Sequence, residues 1–166
     1  MKRIVSAMLA LIFVLSLAAC GAQPAPKPKL FLCEEMRLTL NTDFVSSEKE
    51  GYSAMYHSEK SDVLVLREDK EYFKENLTFD EYVELVRGNN EGSDLGELID
   101  DSGLSYFEYT YEDEAYSGTY ECLTAVIESD MAYWLMQFYC TAEDYPEMKA
   151  SFLEWAHSVF FKEKEF

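Results

Sequence analysis

The chain has 166 residues, 32 of them acidic and 14 basic, so its formal net charge is −18 at neutral pH. A field of that sign repels phosphates, which excludes DNA and RNA as partners. The 12 Tyr, 11 Phe and 2 Trp supply enough apolar surface for a folded core, which excludes a disordered acidic chain.

The chain begins with two cations, Lys2 and Arg3, followed by an almost unbroken apolar run over residues 4–17. This pattern is typical of a secretory signal peptide. The run is also shorter than the roughly 20 apolar residues that a membrane-spanning helix needs. We expect residues 1–19 to be removed as a signal peptide, so that the mature protein is extracytoplasmic.

The apolar run ends in Leu17, Ala18, Ala19 and Cys20, which together resemble the lipobox of bacterial lipoproteins. The resemblance implies that Cys20 becomes the new N-terminus and carries a thioether-linked diacylglycerol. Two or more acyl chains anchor a protein stably, whereas one chain binds only reversibly. Cys20 is therefore the predicted lipid-anchor site on the bacterial cell membrane. The alternative is an ordinary cleaved signal in which this cysteine is incidental.

A proline-rich segment follows the cysteine, since three of the chain's four prolines stand at positions 24, 26 and 28. Such a segment favours an extended polyproline conformation of about 3.1 Å per residue, or roughly 28 Å for nine residues. We predict that residues 20–29 are the lipidated cysteine and its tether. Residues 30–166, with 10 basic and all 32 acidic residues, are predicted to form a single domain of formal charge −22.

Apolar patterning predicts about six strands in this domain. They cover residues 36–40, 51–57, 62–67, 104–111, 119–127 and 132–140. Two of them, residues 62–67 and 132–140, are apolar on both faces, which indicates that both faces of the sheet are covered. Turn residues at positions 101–103 and 129–130 predict antiparallel neighbours.

Two helices are predicted on either side of the later strands. Thr78 and Glu81 match a capping box at the start of the first helix, and Gly88 ends it. The second helix follows Asp144 as N-cap, with Pro146 in its first turn and apolar residues every three or four positions. The order of elements predicts an α+β fold, with an antiparallel sheet of about six strands flanked by helices in an α/β/α sandwich.

Four segments resemble small lipoproteins of Gram-positive gut bacteria that have the PsbP-like fold. The segments are residues 36–40 (MRLTL), 103–109 (GLSYFEY), 132–138 (AYWLMQF) and 152–159 (FLEWAHSV). The fold is named after an extrinsic subunit of photosystem II, and a yeast protein that binds the Ran GTPase shares it. The resemblance implies a central antiparallel sheet between helices. It implies no activity and no binding residues, because fold alone does not define function.

The sequence contains no catalytic, phosphate-binding or zinc-binding motif. Its two histidines, His57 and His157, are far apart, and His157 is expected to have a structural role at the end of the last helix. Neither acidic segment, residues 91–101 or 112–114, has the ligand order of a calcium-binding EF-hand loop. We therefore expect no catalytic residue, metal or cofactor.

Three cysteines, Cys33, Cys122 and Cys140, lie beyond the predicted anchor, and an odd number cannot pair fully. If the hairpin loop between the last two predicted strands has an even number of residues, Cys122 and Cys140 point to opposite faces of the sheet and cannot bond. We predict free, buried thiols.

Tyrosines are concentrated at positions 106, 109, 111, 116 and 120. Tyrosine is frequent at binding surfaces, although it also packs against sheets. We favour a non-enzymatic domain that binds a protein, peptide or envelope component through an apolar or tyrosine-rich patch. The alternative is a cell-envelope hydrolase, which needs a concave site with two converging carboxylates of raised pKa. A third possibility is a spacer or surface coat protein.

Overall fold

The structure is a computed structural model that describes residues 25–73, 77–90, 94–113 and 118–162. The predicted signal peptide, Cys20, the first residues of the tether and Tyr116 lie outside the described residues. Over the described ranges, no helix has the length and apolar character needed to cross a bilayer.

The fold is centred on an antiparallel sheet of eight strands. In chain order they are β3 (Val45–Ser47), β4 (Ala54–His57), β5 (Asp62–Asp69), β6 (Asp94–Leu95), β7 (Ile99–Asp101), β8 (Leu104–Asp113), β9 (Gly118–Glu128) and β10 (Ala132–Thr141). Their order across the sheet is β3–β4–β5–β10–β9–β8–β6, and β7 pairs with β8 along the same edge as β6. The four long strands β5, β10, β9 and β8 therefore form the middle of the sheet.

The described residues also form three further strands and two helices. The strands β1 (Pro28–Cys33), β2 (Met36–Asn41) and β11 (Phe160–Phe161) form a small antiparallel sheet in the order β1–β2–β11. The helices are α1 (Phe79–Gly88) and α2 (Tyr145–His157), and a single 3₁₀ turn (Lys70–Tyr72) follows β5. The architecture is α+β with antiparallel sheets between helices, which confirms the predicted fold class.

The small sheet and α2 cover one face of the central sheet, which we call the core face. Every second residue of β10, including Trp134, Met136 and Phe138, is fully buried on this face. Leu38 of β2 and Phe152 of α2 belong to the same buried cluster. The even-numbered residues of β10 therefore belong to the main core, on a covered face as predicted.

Helix α1 packs on the opposite face, which we call the helix face. Its buried residues Tyr82, Val83 and Val86 contact Phe107 of β8 and Tyr133 of β10. The rings of Tyr82 and Tyr133 stack with their centroids 4.2 Å apart. This second cluster is smaller than the first, and it holds α1 on the sheet through both aromatic and aliphatic side chains.

The start of α1 confirms the predicted capping box. The Thr78 hydroxyl accepts a hydrogen bond of 3.3 Å from the backbone N–H of Glu81. The Glu81 carboxylate accepts one of 2.8 Å from the backbone N–H of Thr78. Two of the N–H groups that every helix start leaves unpaired are thus satisfied.

The prediction that both faces are covered holds only for part of the helix face. Strands β8, β9 and β10 have ten or eleven residues each, a length of about 34 Å. Helix α1 has ten residues, a length of about 15 Å. It covers the end of the strands that contains Phe107 and Tyr133, and none of the described residues forms a helix over the other half of the face.

The structure has more strands than the six predicted, for two physical reasons. Strands β3, β6, β7 and β11 have only two or three residues, too few for an alternating pattern to stand out in the sequence. Strand β1 begins at Pro28, within the predicted tether, because its backbone pairs with β2 despite the proline. The turn predicted at positions 101–103 is present, and Ser102 and Gly103 both have positive φ, as a tight hairpin turn requires.

Candidate functional site

The uncovered half of the helix face forms a cavity of about 640 Å³, which we call the tyrosine cavity. Its floor consists of Leu64 of β5, Gln137 and Tyr139 of β10, Cys122 of β9 and Tyr109 of β8. The strand register explains why these side chains meet. Leu64 pairs with Gln137, and Tyr139 and Tyr109 both pair with Cys122, so all five project from the same face.

Tyrosine rings form most of one wall of the cavity. The rings of Tyr109 and Tyr111 have centroids 6.0 Å apart, and Tyr111 stacks on Tyr120 of the neighbouring strand at 5.6 Å. On the opposite side, the loop between β3 and β4 contributes Tyr52, and the Lys49 ammonium lies 5.2 Å from the centre of its ring. The cavity therefore offers aromatic surface from two sides.

The hydroxyl groups of the two floor tyrosines are engaged within the protein. The Gln137 side-chain amide donates a hydrogen bond of 3.0 Å to the Tyr109 hydroxyl, which also interacts with Cys122. The Tyr139 hydroxyl is hydrogen-bonded to the Asp62 carboxylate. Burial raises the pKa of Tyr109 and of Tyr139, and for Tyr139 the nearby Asp62 charge adds to this effect. Both phenols are therefore protonated and uncharged near neutral pH.

One histidine and one carboxylate stand together at the edge of the cavity. His57 ends β4 and pairs in register with Asp62 at the start of β5. The Nδ1 atom of His57 contacts an oxygen of Asp62, and the His57 side chain is about half exposed. Asp62 thus joins the imidazole to the Tyr139 phenol and fixes the orientation of both.

The chemistry of the cavity favours binding over hydrolysis. Asp62 is the one carboxylate among its described lining residues, so the paired carboxylates expected of a hydrolase are not found there. Burial raises the pKa of the Cys122 thiol to about 11. A protonated thiol is a poor nucleophile. The cavity instead combines aromatic rings with a few fixed polar groups, a composition typical of ligand sites.

A close pair of carboxylates, Glu108 and Glu121, lies on the core face, and Glu108 is already bonded to other side chains of the protein. Glu108 accepts a hydrogen bond from the Tyr145 hydroxyl and forms an ion pair with Lys149, both at 2.7 Å. Burial and the adjacent Glu108 raise the pKa of Glu121. Neither glutamate lines the tyrosine cavity or a second cavity of about 550 Å³ between α2 and the β4–β5 turn. The contacts of Glu108 join the sheet to the first two turns of α2.

The structure brings together three of the tyrosines singled out in the sequence. Tyr109, Tyr111 and Tyr120 line the cavity, whereas Tyr106 projects to the core face and packs against the main cluster. Sequence reasoning did not identify Asp62, Gln137 or Tyr139, because their meeting depends on the register between β5 and β10. The one available signal was Gln137, a polar residue within an otherwise apolar strand.

The remaining candidates have structural positions. His157 lies at the end of α2, where its Nε2 atom is 3.2 Å from an oxygen of Asp101. Cys33, Cys122 and Cys140 are free and buried, as predicted, and the register places the last two on opposite faces. Within the described ranges, no group of three or more His, Cys, Asp or Glu side chains is arranged to hold a metal ion.

The fold is that of proteins with the PsbP-like architecture. Its fold matches the solution structure of the cyanobacterial PsbP protein, CyanoP, from Synechocystis sp. PCC 6803. The TM-score is 0.57 at 11% identity, over 89% of this chain and 99% of the other. The match shows a common fold and no more, because the identity is low.

Two further solved structures have the same fold. One is PA94 from Pseudomonas aeruginosa, a protein of unknown function and putative regulator. It matches with a TM-score of 0.54 at 13% identity, over 82% of this chain and 99% of the other. A Bacteroides thetaiotaomicron protein matches at 0.56 and 11% identity over 83% of this chain, which spans only 49% of that protein. No family model and no curated protein matches the sequence.

Proposed function

We propose that this protein is a lipid-anchored extracytoplasmic binding protein, without enzymatic activity, that takes an organic cation into the tyrosine cavity. The observation that carries the proposal is the cluster of tyrosine rings around an open cavity of about 640 Å³. A volume of that order suits a small molecule or the side chains of a short peptide. A trimethylammonium or lysine-like group is the ligand chemistry that we favour.

The ring geometry supports a cationic ligand. The face of an aromatic ring carries negative charge density and attracts a cation within about 6 Å of its centre. The floor phenols of Tyr109 and Tyr139 are already hydrogen-bonded to protein groups. These residues therefore offer ring surface more than free hydroxyls. The Lys49 ammonium over Tyr52 is an internal example of this contact at the cavity edge.

The charge of the whole chain acts in the same direction. A formal net charge of −18 creates a field that concentrates cations near the surface and repels anions. Within the cavity, Asp62 supplies a carboxylate close to the rings. The long-range field would bring a cationic ligand to the cavity, and the rings would hold it.

The ligand chemistry is tested with two probes of the same shape, choline and its uncharged analogue 3,3-dimethylbutan-1-ol. Titration calorimetry on the folded domain should show tighter binding of choline, by about 1 kcal/mol or fivefold. Tyr120→Ala should weaken choline binding. Tyr72→Ala should leave it unchanged, because Tyr72 is 75% exposed and outside the cavity. Equal affinity for both probes would contradict a cationic ligand.

The anchor is tested separately at Cys20, the predicted lipidation site. The mature wild-type chain should begin at Cys20, carry the mass of its acyl chains and partition with membranes. The Cys20→Ser variant should lack that mass and appear in the soluble fraction. Membrane partitioning of the serine variant would exclude lipid anchoring through this residue.

A further inference from the structure

We propose that the outward face of the small sheet, formed by β1, β2 and β11, rests on the lipid headgroups of the membrane. The inference rests on the proposed lipid anchor and is independent of the ligand in the tyrosine cavity. It concerns the side of the small sheet that points away from the central sheet, which we call the outer sheet face.

The outer sheet face exposes three large apolar side chains. Leu30 and Leu32 of β1 are 50% and 62% exposed, and Phe160 of β11 is 52% exposed. Their neighbours in sequence, Phe31 and Phe161, point inward and pack in or against the core. A half-buried strand normally alternates apolar inward residues with polar outward ones. These outward apolar residues break that rule and need a partner other than water.

The outer sheet face also differs in charge from the rest of the molecule. The register aligns Leu32 with Arg37 and Arg37 with Phe160, so Arg37 stands between two outward apolar residues. Its guanidinium group donates hydrogen bonds to the backbone carbonyls of Glu34 and Met36. Lys162 follows β11 and is exposed. The outward strand positions, which also include Leu30 and Thr39, carry no acid, in a chain with 32 acidic residues. Cations beside apolar residues match the boundary between lipid phosphates and acyl chains.

The position of β1 in the chain puts this face next to the bilayer. Strand β1 begins at Pro28, only eight residues after Cys20 in the sequence. Eight residues can span at most about 28 Å. The first described strand after a lipidated Cys20 is therefore held near the headgroups, and its exposed leucines can reach the bilayer surface.

This orientation gives the tyrosine cavity a defined direction. The small sheet packs on the core face, whereas the cavity opens on the helix face. The central sheet separates them. With the outer sheet face on the lipid, the cavity opens away from the membrane, where an external ligand can enter it.

The proposal is tested with the full lipidated chain in vesicles of phosphatidylcholine and phosphatidylglycerol with brominated acyl chains, which quench nearby tryptophan. Leu32→Trp places a reporter on the outer sheet face. Leu85→Trp, at a residue of α1 that is 47% exposed, is the matched control on the opposite side of the domain. The native residues Trp134 and Trp155 are buried and provide the same background in both variants. Circular dichroism checks that each variant is folded.

Above the background of the native tryptophans, we expect brominated lipid to remove most of the emission that the Leu32→Trp substitution adds. The emission added by Leu85→Trp should stay unchanged. Flotation of the same samples reports anchoring independently. A chain that floats with the vesicles but shows equal quenching at both positions keeps the anchor and overturns the orientation. A chain that does not float overturns both.

Discussion

Five buried or half-buried tyrosines should make the domain unfold as the pH rises above about 10. They are Tyr56, Tyr82, Tyr109, Tyr139 and Tyr145, and burial is the largest cause of the raised pKa in each. For Tyr56 the pKa is raised to about 12. The pKa in the unfolded chain is about 10. Because the folded pKa is the higher one, this stabilisation is complete below pH 10 and is lost as the pH rises towards the folded value.

The size of the effect follows from the protons that the folded state retains. At one pH unit above the pKa of the unfolded chain, each tyrosine that stays protonated in the folded state lowers the free energy of unfolding by about 1.4 kcal/mol relative to neutral pH. Five such residues cost about 7 kcal/mol, which is comparable to the whole stability of a typical domain. The three buried thiols, whose pKa values burial raises to about 11 or 12, act in the same direction.

Urea unfolding followed by circular dichroism at a series of pH values between about 8 and 11 measures this loss, and phenolate absorbance reports tyrosine ionisation. Tyr109→Phe should reduce the slope above pH 10 by up to 1.4 kcal/mol per pH unit, roughly one proton's worth. Tyr72→Phe, at an exposed residue, should not change it. If all the tyrosines ionised near pH 10 while the domain stayed folded, these phenols could not be buried and hydrogen-bonded as described.

Four further results follow from the contacts described above. Thr78→Ala removes the capping box of α1 and should lower the unfolding free energy by about 1 kcal/mol in urea denaturation. Tyr82→Leu removes the stack on Tyr133 and the 2.5 Å hydrogen bond to Glu68, so it should lower the free energy of unfolding by about 2–4 kcal/mol. A decrease below about 1 kcal/mol would mean that this ring does not hold α1 on the sheet. Lys49→Met removes the internal cation from the cavity edge and should tighten choline binding about twofold, measured by calorimetry. Thiol labelling of the folded domain should be slow at all three free cysteines. In denaturant without reductant, all three should be labelled completely.

The elements that were predictable from sequence are those with a long periodic pattern or local chemistry. Strand β10 alternates over ten residues, so both of its faces could be assigned, and its even-numbered residues form the core. The capping box of Thr78 and Glu81 was predictable because it needs only residues three positions apart. Strand β11 was not predictable, because two residues are too few to show an alternating pattern.

The candidate site was predictable only in part, because it depends on contacts between distant strands. Tyr109, Tyr111 and Tyr120 were visible as a local concentration of tyrosine. Asp62 and Tyr139 are far apart in sequence and meet through the pairing of β5 with β10. The opening itself depends on the short length of α1 against the long strands beneath it, and no single segment encodes that difference.

The most direct test of the account is the NMR response of individual tyrosine rings to choline. In the domain with labelled tyrosines, the ring signals of Tyr111, Tyr120 and Tyr139 should shift in a saturable manner as choline is added, because these rings line the cavity. The signals of Tyr72 on the surface and Tyr145 on the core face should stay in place. Uniform shifts at all tyrosines, or no shift at the cavity rings, would contradict a cation site on the open half of the helix face.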